Sequence, residues 1–141
     1  MPRGAESILL DTCACLWLTH GDPLSADSRA AIAESQAAHA GVYVSAITAW
    51  EVATLVSRRR YRLFVTPGVW FARLMALSGV RLAEASPDVL IDSAFLPGDP
   101  PFDPADRILA ATARRRGLTL VTRDRQLLKY AEAGHLRALG C

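Results

Sequence analysis

Residues 8–12 have the sequence Ile-Leu-Leu-Asp-Thr, a short apolar run that ends at a carboxylate. Such a run is typical of a strand that is buried on both faces of a parallel sheet. Three further runs follow at 42–44, 80–82 and 118–121, and a weaker one at 136–139 predicts a short edge strand. Segments with helical character separate these runs. The alternation predicts a three-layer α/β/α sandwich with a central, mostly parallel sheet.

The helices are predicted from capping residues and from the spacing of apolar residues. They are expected at 14–19, 26–39, 47–59, 67–78, 86 to near 97, 103–116 and 125–133. Ser25, Ser86 and Asp103 are the predicted N-caps of three of them. Residues 97–104 carry four of the eight prolines, which predicts a loop.

Helical spacing also assigns several side chains to the core. The predicted sets are Ala30, Ile32, Ala33, Ala37 and Ala38 on the second helix and Trp70, Phe71, Leu74 and Leu77 on the fourth. Trp50 is expected in the core as well, rather than as a platform for stacking bases. The three cysteines, Cys13, Cys15 and Cys141, are too few for a disulfide framework and are expected to be buried, unreactive thiols.

The composition indicates a single globular domain over residues 1–141. Hydrophobic residues make up 51% and charged residues 21%, which excludes a disordered chain. The net charge of +2 is too small to indicate a nucleic-acid-binding protein from bulk charge alone. No apolar run approaches the ~20 residues of a membrane span. The expected location is therefore the cytoplasm, with no membrane partner.

Four acidic residues are predicted to lie near one edge of the sheet. Asp11 ends the first strand, and Asp124 follows the fourth strand after a short turn. Glu51 lies early in the helix after the second strand, and Asp106 lies in the first turn of another helix. Binding sites of parallel α/β sheets form beyond the carboxyl ends of the strands. The four acids are therefore candidate catalytic residues.

Carboxylates clustered in a partly apolar site repel one another, and a divalent cation removes that conflict. Hard oxygen ligands favour Mg²⁺ or Mn²⁺, which gives Asp11, Glu51, Asp106 and Asp124 as the candidate metal ligands. Such an ion suits phosphodiester hydrolysis, because it polarises a phosphate and lowers the pKa of a bound water. Three hydroxyl residues flank the acids and are predicted to orient a water or a phosphate oxygen: Thr12, Ser45 and Thr122.

Some of these residues have a structural interpretation beside the functional one. Asp11 and Asp124 are also suited to capping the end of a strand or the start of a helix. Asp103 competes with Asp106, and we assign Asp103 to the N-cap and Asp106 to the metal. The arginines 58–60 form the densest basic run and are either a solvated helix end or contacts to RNA phosphate.

Four segments together resemble the motifs of PIN-domain nucleases, and the toxin branch of bacterial type II toxin–antitoxin systems, the VapC toxins, in particular. The segments are Ile8-Leu9-Leu10-Asp11-Thr12, Ser45-Ala46-Ile47-Thr48-Ala49-Trp50-Glu51-Val52, Asp103-Pro104-Ala105-Asp106-Arg107-Ile108-Leu109-Ala110-Ala111-Thr112-Ala113 and Leu120-Val121-Thr122-Arg123-Asp124. The resemblance runs from about residue 8 to 139. One departure is Pro101-Phe102, where this branch often has a histidine before the third motif.

The resemblance implies an endoribonuclease that depends on Mg²⁺ or Mn²⁺. It places the four acids of the family at Asp11, Glu51, Asp106 and Asp124, and the small hydroxyl beside the last acid at Thr122. It also implies a small antitoxin partner that inserts a C-terminal segment, often with an arginine, into the acidic groove. Homodimers are usual for such proteins.

Two other functions remain open from the residues. A non-catalytic interaction module with the same fold is one alternative. An aspartate-based phosphatase or phospho-receiver is a weaker one. The phosphatase needs a second Asp two residues after the first, where Cys13 stands, and the receiver needs a Lys after its last strand, whereas the single lysine, Lys129, lies in a helix.

Overall fold

Five parallel strands form the centre of the computed structural model, which describes residues 6–21 and 23–141. They are β1 (Ile8–Leu10), β2 (Val42–Ser45), β3 (Val80–Ala83), β4 (Thr119–Thr122) and β5 (Ala138–Gly140). Their order in the sheet is β3-β2-β1-β4-β5, and each neighbouring pair is parallel. The predicted sheet is confirmed, including its short edge strand, and β1 lies at its centre.

Seven helices occupy the same described residues. They are α1 (Thr12–His20), α2 (Ala26–Ala37), α3 (Ala46–Ser57), α4 (Pro67–Met75), α5 (Pro87–Ala94), α6 (Pro104–Arg116) and α7 (Arg125–Glu132). The caps at Ser25, Ser86 and Asp103 are confirmed, since each side chain accepts a hydrogen bond from a backbone N–H of the first turn. Several helices end two or three residues earlier than predicted, because the last turn opens into a loop.

The sheet separates two apolar layers, as the predicted sandwich requires. Successive side chains of a strand point to opposite faces. Ile8 and Leu10 pack with residues of α1, α2 and α4 on one face, including Trp70 and Leu74. Leu9 packs on the other face with residues of α6 and α7. All three residues of β1 are buried, as expected for the central strand of the sheet.

Part of the predicted core is wrong. Trp50 is 60% exposed, because α3 buries Thr48 and Val52, and a residue two positions from each of them lies on the opposite side of the helix. The four predicted alanines are exposed, three of them on α2 and Ala38 directly after it. The buried residues there are Ile32 and two serines, whose hydroxyls bond to backbone carbonyls.

Three smaller expectations were also tested. Leu77 is 41% exposed, because α4 ends at Met75. Cys13 is exposed, whereas Cys15 is buried and Cys141 is intermediate. In the described part of the chain, none of the helices combines the length and apolar character needed to cross a membrane.

Candidate active site

Asp11 joins the central strand to the first helix and is 5% exposed. One carboxylate oxygen, Oδ1, accepts a hydrogen bond of 2.7 Å from the N–H of Ala14, so Asp11 caps α1. The other oxygen, Oδ2, accepts a hydrogen bond of 2.6 Å from the hydroxyl of Thr122 at the end of β4. Burial raises the pKa of Asp11, while these two hydrogen bonds oppose the shift.

Thr122 links two of the predicted acids. Its hydroxyl donates to Asp11 and accepts a hydrogen bond of 3.0 Å from the N–H of Asp124. Asp124 in turn accepts a bond of 3.0 Å from the N–H of Leu127 and is the N-cap of α7, so its structural interpretation holds. The negative charge of Asp124 also raises the pKa of Asp11, as expected for two residues that are linked through Thr122.

Glu51 approaches the same region from the second turn of α3. Its Oε1 accepts a hydrogen bond of 2.6 Å from the hydroxyl of Thr12, the residue that follows Asp11. Burial raises the pKa of Glu51, the bond from Thr12 lowers it, and the charges of Asp103 and Asp11 raise it further. Glu51 and Asp11 therefore belong to one electrostatic site.

Thr48 is a site residue that the sequence analysis missed. It is fully buried, and its Oγ1 lies 3.2 Å from Oγ1 of Thr12. A hydroxyl has a single proton, and Thr12 gives its proton to Glu51, so Thr48 must be the donor to Thr12. A polar residue three positions before Glu51 on the buried face of α3 was the signal that would have found it.

Ser45 has a mainly local role in this geometry. It ends β2, is fully buried and caps α3 by accepting a hydrogen bond of 3.1 Å from the N–H of Ile47. Ser45 thereby fixes the start of the helix that carries Glu51.

Asp106 is the carboxyl group on which the other acids of the site have the most combined influence. Asp103 is the N-cap of α6 and accepts a hydrogen bond of 3.1 Å from the N–H of Asp106, as the sequence predicts. The pKa of Asp106 is raised to about 7, first by burial and then by the negative charges of Asp103, Asp124, Glu51 and Asp11. The three other candidate acids therefore all act on this carboxyl.

The thiol of Cys13 lies in the same negative field. Desolvation raises its pKa to about 11, and the charges of Asp11, Glu51 and Asp106 add to the shift. A thiolate is the reactive form of cysteine, so this exposed thiol is a poor nucleophile.

The two arginine clusters differ in their surroundings. Arg58, Arg59 and Arg60 are exposed at the C-terminal end of α3 and form no ion pair with any residue in 6–21 or 23–141. At the end of α6, by contrast, Arg115 pairs with Asp88 and Asp92, and Arg116 lies 4.8 Å above the ring of Tyr43. Arg115 and Arg116 are therefore already engaged by contacts within the protein.

The donor chemistry of the acidic site suits a hard divalent cation. Among the residues that the structure describes, no three His, Cys, Asp or Glu side chains form a closed group around one point. Mg²⁺ does not need such a cage, since it is usually held by one or two carboxylates and keeps several waters. The residues present therefore fit a partly hydrated ion.

Fold and site together define a class: a parallel α/β sandwich with interacting carboxylates beyond the carboxyl ends of its central strands. The sequence also matches the PIN domain over residues 8–133. The chain therefore belongs to the PIN-domain family.

Comparisons with individual proteins agree with this family assignment. The chain is 35% identical over 126 residues to Ribonuclease VapC22 of Mycobacterium tuberculosis, covering 88% of this chain and 92% of that protein. The fold is similar to the crystal structure of VapBC2 from Rickettsia felis bound to promoter DNA, with a TM-score of 0.66, 14% identity and coverage of 94% and 97%. It is also similar to DNA-bound VapBC from Salmonella typhimurium, with a TM-score of 0.65, 18% identity and coverage of 96% and 98%. The resemblance to VapC toxins is thereby confirmed.

Proposed function

We propose that this chain is the toxin of a toxin–antitoxin pair and acts as an endoribonuclease that depends on Mg²⁺ or Mn²⁺. In this proposal residues 1–141 form one PIN-like nuclease domain. The observation that carries it is the convergence of the acids: Thr122 bonds to the carboxylate of Asp11 and to the backbone N–H of Asp124, and Thr12, the residue after Asp11, bonds to Glu51. The similarity to Ribonuclease VapC22 supports RNA as the substrate.

The four acids Asp11, Glu51, Asp106 and Asp124 would hold the divalent cation between them, one or two of them directly and the others through waters of the ion. When bound, such an ion polarises a phosphodiester and lowers the pKa of an attacking water. The ion would also offset the repulsion between the carboxylates.

The protein's own side chains prepare this site for the reaction. Thr122 fixes Asp11 through its 2.6 Å hydrogen bond, and Thr12 fixes Glu51 through a bond of the same length. These bonds keep one oxygen of each carboxylate in place before substrate arrives, which is the preorganisation that catalysis needs. Thr12 and Thr122 would orient a water or a phosphate oxygen through the carboxylates that they hold, and Ser45 would act through the start of the helix that carries Glu51.

The partners follow from the charge of the site and from the similar structures. The neighbouring structures are VapBC complexes, which supports an antitoxin partner for this chain. A basic side chain of the antitoxin would be attracted to the acidic groove. RNA phosphate would contact Arg58, Arg59 and Arg60, which have no carboxylate partner among the described residues. A homodimer and a cytoplasmic location, where RNA is available, complete the proposal.

The test is cleavage of a mixed RNA pool by the antitoxin-free protein, with Mg²⁺, with Mn²⁺ and with a chelator. We expect cleavage only with metal, and a loss of roughly 100-fold or more in Asp11→Asn, because the carboxylate cannot be replaced by a neutral amide. Asp27→Asn, at an exposed acid in the first turn of α2, is the matched control and should cleave like the wild type. Equal activity of Asp11→Asn and wild type, with folding verified, would favour the non-catalytic interaction module.

A further inference from the structure

A cavity of about 230 Å³ lies between the loop at 99–102 and one face of α7. The helix contributes Gln126, Lys129 and Tyr130, and its C-cap contributes Ala133; the spacing of three, four and seven residues places them on a single stripe. The volume is below the roughly 300 Å³ at which pockets for drug-sized ligands begin. It suits one planar group rather than a large ligand.

The loop wall of this cavity is rigid. Pro100 and Pro101 have restricted φ angles. The carbonyl of Pro101 accepts a hydrogen bond of 3.1 Å from Nη1 of Arg107, and the carbonyl of Pro97 accepts one of 2.5 Å from the hydroxyl of Tyr130. A loop held in this way loses little further entropy when a ligand binds.

This rigid loop presents an aromatic ring to solvent. Phe102 is 89% exposed, although it is a large apolar residue. Phe102 lines the cavity, so one face of a planar ligand can lie against its ring. Polar groups are available for the edges of such a ligand, because the lining also includes Asp99, Gln126 and Lys129, whose side chains end in a carboxylate, an amide and an ammonium group.

The residues that line the cavity are close in sequence to two of the candidate acids. Phe102 directly precedes Asp103, the N-cap of the helix that carries Asp106. On the other wall, Gln126 is two residues after Asp124. The loop therefore leads into the helix that carries Asp106, and the other wall of the cavity is the helix that Asp124 caps.

Together these features point to a nucleobase. Unpaired RNA bases stack on aromatic side chains and are recognised by hydrogen bonds to their edges. Building on the proposed function, we infer that this cavity binds the unpaired base of a nucleotide that flanks the scissile phosphate. Phe102 provides the stacking surface, Gln126 and Asp99 bond to the base edge, and Lys129 contacts a neighbouring phosphate.

The first test measures binding without any cleavage. Each of the four nucleoside 5′-monophosphates is titrated into the full chain without metal, and the backbone amide signals of Phe102, Gln126 and Lys129 are followed by NMR. We expect saturable shifts of all three signals with at least one nucleotide. Phe102→Leu should weaken this binding roughly five-fold or more, whereas Phe102→Trp should retain it. Phe64→Leu, at another highly exposed phenylalanine, is the matched control and should bind like the wild type.

The second test connects the cavity to the cut. Once the cleavage position is mapped on the RNA pool, an abasic nucleotide replaces the flanking one. We expect this replacement to lower kcat/KM roughly ten-fold for the wild type and to have little effect on Phe102→Leu, because both changes remove the same contact. Independent, multiplying losses would overturn the inference.

Other outcomes also separate the claims. If none of the four nucleotides shifts the three signals, the inference is overturned even if RNA is cleaved. If the wild type cleaves no RNA, the proposed function fails, and the nucleotide titration still decides whether the cavity binds a base. If Phe102→Leu binds nucleotides normally but no longer binds the antitoxin, the surface is a protein contact and the inference is wrong.

Discussion

At the scale of single residues, the site is organised by hydroxyl groups that hold carboxylates. Thr122 donates to the carboxylate of Asp11 and accepts from the backbone N–H of Asp124, and Thr12 donates to the carboxylate of Glu51. A hydrogen bond to a charged group contributes roughly 1.5–3 kcal/mol. The threonines therefore help to determine where the carboxylate oxygens lie.

Replacing Thr122 tests this role. Thr122→Val keeps the shape of the side chain but removes the donor to Asp11 and the acceptor for the N–H of Asp124. We expect RNA cleavage to fall roughly 10-fold to 100-fold, because one hydrogen bond to a charged group is lost. Steady-state cleavage rates at saturating metal provide the measurement.

Thr122→Ser is the matched control, since it restores the hydroxyl without the methyl group. It should recover most of the lost activity. Wild-type activity in Thr122→Val would contradict the proposed role of the hydroxyl.

The residues of the site were predictable to different degrees. Asp11 and Thr122 are 111 positions apart, yet their proximity follows from the rule that the carboxyl ends of parallel strands share one edge. The position of Thr48, three residues before Glu51, offered a signal, but its role as a donor did not follow from the sequence, because that role depends on the acceptor to which Thr12 gives its single proton. Hydrogen-bond direction is a property of the folded geometry, and no local pattern encodes it.

At the scale of secondary structure elements, β1 determines where the site forms. It pairs with β2 on one side and with β4 on the other. Its three side chains are buried, and the next residue is Asp11. Packing of this strand therefore fixes the backbone of the first acid.

Truncation of Leu9 tests the contribution of β1 to stability. Leu9 is the middle residue of β1 and is fully buried against helices α6 and α7. Leu9→Ala removes apolar burial and leaves a cavity, so we expect the free energy of unfolding to fall by about 2–5 kcal/mol in denaturant titrations. Ile91→Ala, at a residue that is 60% exposed on α5, is the control and should cost less than about 1 kcal/mol. Equal losses in the two variants would mean that β1 is not the central packing element.

Element types were predictable because apolar runs, caps and prolines are local signals. The face of a helix that is buried was less predictable. The alanines of α2 were assigned to the core from spacing, yet α2 buries Ser28 and Ser35, whose hydroxyls bond to the carbonyls of Gly140 and Glu6. Those acceptors are more than 25 residues away along the chain. The prediction that Trp50 lies in the core was wrong for a related reason, since the sequence does not show which side of α3 meets the sheet.

At the scale of the whole molecule, the fold brings together acids from four separate parts of the chain. The parallel order of the sheet was predictable, but the central position of β1 was not, because strand order depends on long-range packing. The consequence of this convergence is electrostatic. Asp11, Glu51 and Asp106 each have a raised pKa, and burial is the largest cause in each case.

This convergence makes stability depend on pH. The pKa of Asp106 rises from 3.8 to about 7 on folding, so the folded chain keeps a proton that the unfolded chain has already released. The stabilising effect of that proton is complete below pH 3.8 and is lost as pH rises to about 7. The raised pKa values of Asp11 and Glu51 act in the same direction.

The most direct test of the shared acidic site is the free energy of unfolding at pH 5 and pH 8, with a chelator and with Mg²⁺. For the metal-free wild type we expect a loss on the order of 1–3 kcal/mol between these pH values, after allowing for solvent screening of a half-buried group. Asp106→Asn should lose less, since its amide does not ionise, whereas Asp27→Asn should follow the wild type. Mg²⁺ should restore stability at pH 8 in the wild type and much less in Asp106→Asn. Identical pH profiles for wild type and Asp106→Asn, with no effect of Mg²⁺ on either, would contradict the shared metal-binding site.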